Sequence, residues 1–165
     1  MKGKAIGQDF VTIFTTPDFV RAEIPSSNCR ANARGMAKLA SIMANKGHGL
    51  MSEDAWREMH AEANFDLALD GLVHFNFTKG GVNHFVNSCD ATEIDKEHFN
   101  KNREGYYGWF GLGGALMQWH LELQIGFAFC PTFFNSAETL NQRGAVLQGI
   151  VKQCAEKTSN LKEDY

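Results

Sequence analysis

Residues 105–134 read GYYGWFGLGGALMQWHLELQIGFAFCPTFF, and this stretch decides the fold of the 165-residue chain. Its apolar runs predict two long strands joined by a turn near His120 to Glu122, where we expect a solvated histidine. Pro131 should end the second strand, because proline cannot continue a ladder. Five glycines alternate with aromatic residues in the first ten positions. Such glycines mark a bend, a bulge or the close approach of a ligand, so a ligand cleft and a twisted core strand both stay open.

The composition sets the broad class of the protein. With 44% hydrophobic residues, residues 1–165 are expected to form a single domain with a core of its own. A net charge of -3 and a pI near 6.1 argue against a nucleic-acid partner. No uncharged run of about 18 residues predicts a membrane span, and the N-terminus is a poor signal peptide. We expect a cytoplasmic protein, with a mitochondrial or secreted location left open.

The cysteines and histidines are scattered. No two of the four cysteines form a Cys-x-x-Cys pair, so we expect reduced thiols, with two long-range disulfides as the alternative. The six histidines include no His-Glu-x-x-His pattern, which would place two metal ligands on one helical face. No metal and no cofactor is therefore predicted.

Two helices are predicted before the sheet. Residues 28–45 carry apolar side chains at helical spacing, and Gly47 supplies the stop. A shorter helix should begin at Ser52 as its N-cap and run through Met59. The apolar positions of the first helix are Met36, Leu39, Ala40 and Met43.

The rest of the chain predicts a sheet and a closing helix. Residues 72–77 alternate as a half-buried strand, residues 79–81 turn the chain, and residues 87–104 are mostly loop. Asn135 and Glu138 form a capping box that opens a C-terminal helix with one apolar face. That face comprises Leu140, Val146, Leu147, Ile150, Val151 and Cys154. This order predicts an α+β fold in which helices flank an antiparallel sheet and a C-terminal helix closes the chain.

Two serine patterns imitate parts of acyl-transfer sites. Ser159 and Lys162 fit Ser-x-x-Lys, in which a lysine one helical turn away accepts the serine proton. They lie in the charged tail 157–165, with no apolar pocket to desolvate the lysine. Ser26–Ser27 lies just before the first predicted helix. We predict no catalytic role for either pattern, and an active enzyme that uses Ser159 and Lys162 is the alternative.

Three stretches carry a family resemblance. Residues 32–47 read NARGMAKLASIMANKG, residues 50–56 read LMSEDAW, and residues 107–115 read YGWFGLGGA. They resemble the C-terminal part of the serine β-lactamase-related family, which contains class C β-lactamases, their esterase relatives and the animal β-lactamase-like proteins. The glycine-rich strand is the strongest match. The resemblance covers residues 24–156 and implies a partial β-lactamase/transpeptidase-like fold.

The resemblance assigns a role to the glycine-rich strand. The third catalytic motif of the family, Lys-Thr-Gly in lactamases and Trp-x-Gly in some esterase-like members, falls on Trp109, Phe110 and Gly111. This strand would then form the wall of a substrate site for a small-molecule ester or amide. The backbone amide of Leu112 would be one of two oxyanion-hole donors, each contributing about 3 kcal/mol to transition-state stabilisation. A tryptophan in place of the lysine would favour an uncharged substrate.

The chain departs from the family pattern at the reacting groups. No Tyr-x-Asn occurs, and the only Ser-x-x-Lys follows the third motif instead of preceding it. We therefore assign no catalytic residue and expect a C-terminal fragment or truncated relative of a serine hydrolase that is inactive alone and pairs with a complementing chain or with itself. The alternative is a non-catalytic binding or scaffold protein that pairs through an incomplete sheet edge.

Overall fold

The protein is an α+β protein, as predicted, in which helices flank a six-stranded antiparallel sheet. The computed structural model describes residues 12–61, 64–67, 71–111, 113–132 and 140–163, and for 64–67 and 160–163 it describes the backbone alone. The helices are α1 (Pro17–Arg21), α2 (Ala33–Ala44), α3 (Glu53–His60) and α4 (Gln142–Glu163), with a π-helical turn at Asp95–Phe99. The strands are β1 (Asn64–Leu67), β2 (His74–Phe77), β3 (Asn83–His84), β4 (Tyr106–Phe110), β5 (Leu116–His120) and β6 (Ile125–Phe129). None of the helices in these ranges combines the length and apolar character needed to cross a bilayer.

The sheet is a meander in which each strand pairs with the next along the chain. Tyr106 pairs with His120, and Phe110 pairs with Leu116, so the chain reverses over residues 111–115. The prediction of one long glycine-rich strand was therefore wrong, because it is a hairpin with glycines at its turn. The second turn, near His120, is confirmed and occupies residues 121–124.

Two strands of the sheet were not predicted. β3 is only two residues long, and β1 lies in a segment to which we assigned no element. The predicted strand over residues 72–77 is confirmed for His74–Phe77. The π-helical turn lies within a segment that we predicted as mostly loop. With these strands the described sheet has six members.

The helix caps fix where α2 and α3 begin. Asn32 accepts a hydrogen bond from the Gly35 amide at 2.8 Å, so α2 begins at Ala33 and not at residue 28 as predicted. Ser52 Oγ accepts from the Ala55 amide at 3.2 Å, which confirms the predicted N-cap of α3. Residues 28–32 are consequently non-helical, and Asn28 and Arg30 tie this segment to the carbonyls of Phe19 and Phe14.

Two apolar clusters lie on opposite faces of the sheet. On one face α2 packs against β5 and β6, and its Ala40 and Met43 join Trp119 in a buried cluster. The cluster on the other face comprises Val73, Phe85, Phe99, Tyr106, Phe110 and Leu116. α4 lies on this second face, where Gly144 is in contact with Leu116.

α4 presents its apolar face to the surface. Ala145 and Gln148 are fully buried, whereas four apolar residues of the predicted face are 37–53% exposed: Val146, Leu147, Ile150 and Val151. Cys154 of that face is also exposed. Asn135 and Glu138, the predicted capping box, lie outside the described residues. A C-terminal helix is thus confirmed, but it begins at Gln142 and not directly after Asn135 as predicted, since residues 140 and 141 are non-helical. Small and polar side chains make its contact with the sheet.

A buried arginine joins α4 to the rest of the molecule. Arg103 is fully buried and donates to the carbonyl oxygens of Phe99 (2.6 Å) and Asn141 (3.0 Å). It also donates to the carbonyls of His98 and Leu140, and its guanidinium lies 4.8 Å from the centre of the Phe110 ring. Burial lowers the pKa of Arg103 to about 10, so the side chain stays charged at neutral pH. One side chain therefore holds the end of the π-helical turn against the start of α4.

Replacing Arg103 with methionine should lower the free energy of unfolding by about 3 kcal/mol or more, because buried carbonyl groups lose their donors. Urea denaturation followed by tryptophan fluorescence measures this change. The matched control is Arg21→Met, which removes an exposed guanidinium 3.5 Å from Asp18 and should cost less than about 1 kcal/mol. Equal denaturation midpoints for the two variants would contradict the role of Arg103.

Candidate functional site

A cleft of about 510 Å³ opens on the α2 face of the sheet. Its floor is formed by the β4–β5 hairpin, and its opposite wall is the non-helical segment before α2. The lining residues from the hairpin are Gly108, Trp109, Phe110, Gly111, Ala115, Leu116, Met117 and Trp119, and those from elsewhere are Ser26, Ser27, Cys29, Ala31, Met36, Val82, Cys130 and Pro131. Its volume lies within the range of small-molecule sites, and most of its lining is apolar.

Three of the four residues assigned to the substrate wall line this cleft together. They are Trp109, Phe110 and Gly111; Leu112 lies outside the described residues. Trp109 is 42% exposed, whereas Phe110 is 9% exposed and belongs to the core. Of these two adjacent residues of β4, Trp109 is therefore exposed at the cleft, and Phe110 anchors the strand in the core.

Neighbouring rings hold the Trp109 indole in place. It lies parallel to the Phe110 ring, with a centroid separation of 5.5 Å and an interplanar angle of 4°. The Phe75 ring meets it edge-on at 5.1 Å, and the Phe77 ring lies 5.7 Å away. Aromatic contacts of this kind each add about 0.5–1.5 kcal/mol beyond burial. Trp109 is thus a fixed flat surface at the cleft.

Two glycines of β4 and its turn have different physical roles. Gly108 has a φ of +121°, and a Cβ there would collide with the Met117 carbonyl oxygen of the neighbouring strand. Gly111 has no such constraint, since the nearest atom to an added methyl group would be the Ala115 oxygen at 3.8 Å. Gly108 is therefore required for the close pairing of β4 with β5, whereas a methyl group at Gly111 would have open space around it. The backbone interpretation of the glycine pattern thus holds for Gly108, and close approach of a ligand stays a prediction for Gly111.

Two serine hydroxyl groups line the cleft, and none of the described lining residues is a base that could activate them. Ser26 Oγ and Ser27 Oγ lie 3.5 Å apart in the wall opposite the hairpin. Among the described lining residues there is no Lys, Arg, His, Asp or Glu. A serine becomes a nucleophile only when a neighbouring base accepts its proton. Among the described lining residues, neither serine therefore has a side-chain base beside it.

The histidine nearest the cleft is structural. Trp119, which lines the cleft, donates from its indole nitrogen to His60 Nε2 at 2.9 Å. His60 Nδ1 lies 2.7 Å from the Trp56 carbonyl oxygen, so the network assigns the proton to Nδ1 and leaves the ring neutral. Burial lowers the pKa of His60, which agrees with this assignment. His60 therefore holds Trp119 in place and has no nitrogen free for acid–base chemistry.

A second histidine stacks on the same surface. The His84 ring lies parallel to the Tyr107 ring at 4.0 Å. Burial, followed by the nearby His120 and His60, lowers the pKa of His84 to about 4. His84 is thus uncharged at neutral pH and packs as an aromatic residue.

His120 was predicted as a solvated surface residue beside Glu122, and that prediction was wrong. It is only 5% exposed, and its Nδ1 accepts from the Leu123 amide at 3.3 Å. Burial lowers its pKa. The tight turn over residues 121–124 folds back on the His120 ring and buries it. The alternation of residues along the strand did not indicate this burial.

The remaining sequence candidates lie away from the cleft. Ser159 is an exposed residue of α4, and α4 lies on the opposite face of the sheet; the Lys162 side chain is outside the described part. Within the described ranges, no three His, Cys, Asp or Glu side chains converge to hold a metal ion. The residues that sequence reasoning missed are Cys29, Met36, Met117, Trp119 and Cys130. Met117 and Trp119 could have been found, since they alternate along the strand that follows the glycine turn.

The sequence matches no protein-family model, and no curated protein and no solved structure is significantly similar to it.

The two glycines provide a direct test of their separate roles. Gly111→Ala should change the free energy of unfolding by less than about 1 kcal/mol, whereas Gly108→Ala should lower it by about 2 kcal/mol or more, because its methyl group meets backbone. Urea denaturation of both variants measures the difference. A Gly111→Ala variant as unstable as Gly108→Ala would show that Gly111 also serves the sheet.

Proposed function

We propose that this chain is the C-terminal part of a β-lactamase-related serine hydrolase fold and supplies the substrate wall of an acyl-transfer site. The observation that supports the proposal is that Trp109, Phe110 and Gly111, the residues matching the third catalytic motif of the family, line one cleft. The α+β arrangement, with an antiparallel sheet between helices and a C-terminal helix, is consistent with that family. The motif similarity and the lining of the cleft thus point to the same three residues.

The lining of the cleft favours an uncharged substrate. Trp109 occupies the place where lactamases of the family carry a lysine, and no described lining residue bears a charge. A carboxylate would lose its hydration there without gaining a partner. An ester or amide with an apolar acyl group would instead lie against the Trp109 ring. By resemblance, the Leu112 amide would donate to its carbonyl oxygen.

The reacting groups must come from another segment or another chain. Intact relatives attack the ester or amide with a serine, form an acyl-enzyme and release it with water. In this chain Ser26 and Ser27 have no base among the described lining residues. Ser159 lies on the far face of the sheet. We therefore assign binding to this chain and nucleophilic attack to a complementing segment.

The charge of the wall gives a test of this proposal. Wild-type protein should bind an uncharged aryl ester analogue more tightly than its carboxylate counterpart. Trp109→Lys should reverse this preference, so that the carboxylate binds about tenfold more tightly than the ester. A tenfold ratio of dissociation constants corresponds to about 1.4 kcal/mol, the contribution expected of one new ion pair. Isothermal calorimetry with both ligands measures the preference. Trp109→Phe is the matched control, because it keeps a flat apolar wall and should keep the preference.

The same purified chain should turn over neither a chromogenic ester nor a β-lactam, since no described lining residue of the cleft is a base that could activate a serine. A serine-reactive phosphonate should leave Ser26, Ser27 and Ser159 unlabelled. Stoichiometric labelling of any of them would place the nucleophile in this chain and contradict the proposal, as would an unchanged ligand preference in Trp109→Lys.

A specific surface favours a second candidate function, a binding or scaffold protein. β6 is an edge of the sheet, because it pairs only with β5 among the described strands. Its sequence IGFAF has neither charge nor proline, the features that usually protect an edge from pairing. α4 begins beside β6, where Gly144 contacts Phe129, and turns its apolar face outward. Among the described strands, an edge without a strand partner and an apolar helix face therefore adjoin.

Association state tests this second candidate. Light scattering after size exclusion should show a defined oligomer, and Ile150→Glu should convert it to monomer, because the charge falls on the exposed face of α4. Leu50→Glu is the matched control, since Leu50 and Ile150 are 54% and 53% exposed, respectively, and Leu50 lies off that surface. A monomeric wild-type protein, or equal behaviour of the two variants, would rule this surface out as a self-pairing site.

A further inference from the structure

The ring of His60 uses both of its nitrogens in hydrogen bonds. Nδ1 lies 2.7 Å from the Trp56 carbonyl oxygen, and Nε2 lies 2.9 Å from the indole nitrogen of Trp119. A carbonyl oxygen only accepts and an indole N–H only donates, so Nδ1 carries the proton and Nε2 accepts. Only the neutral ring therefore satisfies both contacts.

A second proton on His60 is compatible with one of these contacts and not with the other. A proton on Nε2 would point at the indole N–H of Trp119, and two donors cannot share a hydrogen bond. Nδ1 carries its proton in either state, so the bond to Trp56 persists. The charged ring thus keeps Trp56 and loses Trp119.

The Trp119 indole connects this contact to the cleft. Trp119 is 2% exposed and belongs to the cluster against which Val82 and Met117 pack. All three residues line the cleft. An indole N–H that loses its acceptor in the interior is unfavourable until the ring moves and reaches water. A proton on His60 Nε2 therefore changes the lining of the cleft.

Two titratable groups face His60 from the neighbouring strands. Tyr107 on β4 meets the ring edge-on at 4.9 Å, and burial raises the pKa of its hydroxyl, so it stays uncharged. His84 on β3 is neutral at neutral pH, and a charge on His60 lowers its pKa, as a charge on His120 does, whereas Glu122 raises it. Neither Tyr107 nor His84 thus supplies a negative charge to a protonated His60.

The charged side chains of α3 lie in exposed ion pairs. These pairs are Glu58 with Lys79 at 3.1 Å, Arg57 with Glu53 at 2.6 Å and Arg57 with Asp54 at 3.4 Å. Burial, partly offset by the bond to the Trp56 carbonyl, lowers the pKa of His60 below its ordinary value of 6.5. The unfolded chain therefore binds this proton more readily than the folded chain. His60 contributes stability that is complete above pH 6.5 and is lost as the pH falls through the lowered pKa.

We propose that His60 is a pH-sensitive switch that controls the position of Trp119 in the cleft. The neutral ring holds the indole in the cleft lining, and the ring charged by acid releases it. The proton shifts this equilibrium because it binds only the state in which the bond between His60 and Trp119 is broken. The switch concerns the shape of the cleft and holds whatever compound the cleft binds.

NMR of the full chain between about pH 8 and about pH 4 tests the proposal across the range in which histidine titrates. The indole N–H signal of Trp119 and the ring signals of His60 should shift with one midpoint below 6.5. A neutral gadolinium chelate should broaden the Trp119 signal only below that midpoint. The Trp109 indole, whose side chain belongs to a residue 42% exposed, should be broadened throughout, and the Trp56 signal should not follow the transition.

Three variants separate the switch from a general effect of acid. His60→Gln keeps an acceptor for the indole but cannot titrate, so the Trp119 transition should disappear. Trp119→Phe removes the donor to Nε2, so the midpoint of His60 should rise towards 6.5. His84→Gln is the matched control, because it removes another partly buried histidine and should retain the Trp119 transition.

Three results would overturn the proposal. They are a Trp119 signal that stays constant while His60 titrates, a Trp119 transition that persists in His60→Gln, and a His60 ring that stays neutral until the whole chain unfolds. The first and third are read from the wild-type chain and do not depend on the stability of a variant. The readouts use no cleft ligand, so failure here would leave the proposed acyl-substrate wall untouched, and failure of the wall would leave the switch untouched.

Discussion

The buried guanidinium of Arg103 is the contact on which one whole face of the sheet depends. Its donors reach the carbonyls at the end of the π-helical turn and those of Leu140 and Asn141 at the start of α4. Gln118 and Gln148 are both fully buried, and their amide groups have no hydrogen-bond partner among the residues that the structure describes. An interface that buries such amide groups stabilises the fold less than an apolar interface does. The hydrogen bonds of Arg103 therefore fix the position of α4.

The same contact bears on the cleft through a chain of rings. The Arg103 guanidinium lies over Phe110, and the Phe110 ring is parallel to that of Trp109. Phe110 is the core anchor of β4, and Trp109 is the exposed wall. Because α4 is held with its small and polar residues inward, its apolar side chains remain outside. The position of the wall and the exposed surface of α4 thus have a common physical origin.

Local signals predicted the parts of the structure that depend on local interactions. Ser52 was identified as an N-cap because capping is decided within one helical turn, and its hydrogen bond to Ala55 is present. The glycine-rich stretch was identified as important, but its turn was missed because Gly111 and its neighbours follow an apolar run that also fits a continuous strand. The wall residues Trp109, Phe110 and Gly111 were named from resemblance alone. Their meeting in one cleft is a finding of the structure.

Long-range contacts could not be predicted from the sequence. Nothing in the pattern around Arg103 indicates that residues 140 and 141 accept its hydrogen bonds, since the partners are 37 and 38 positions away. The spacing of the apolar residues in α4 predicts that they are buried. The polar contacts on the other side of α4 instead determine how the helix is oriented. Cys29 and Cys130 likewise line one cleft only because the fold brings the segment before α2 and the end of β6 to its border. Periodicity reports which side chains share a face and not which partner that face meets.

The central claim is that the Trp109 wall binds uncharged acyl compounds, and the indole NMR signals test it most directly. The chain has three tryptophans, whose indole N–H signals can be assigned from single Trp→Phe variants. Titration with an uncharged aryl ester analogue should shift the Trp109 signal and leave that of Trp56, whose indole donates to the Met43 carbonyl at 2.8 Å, unchanged. No shift at Trp109, or an equal shift at Trp56, would contradict the account.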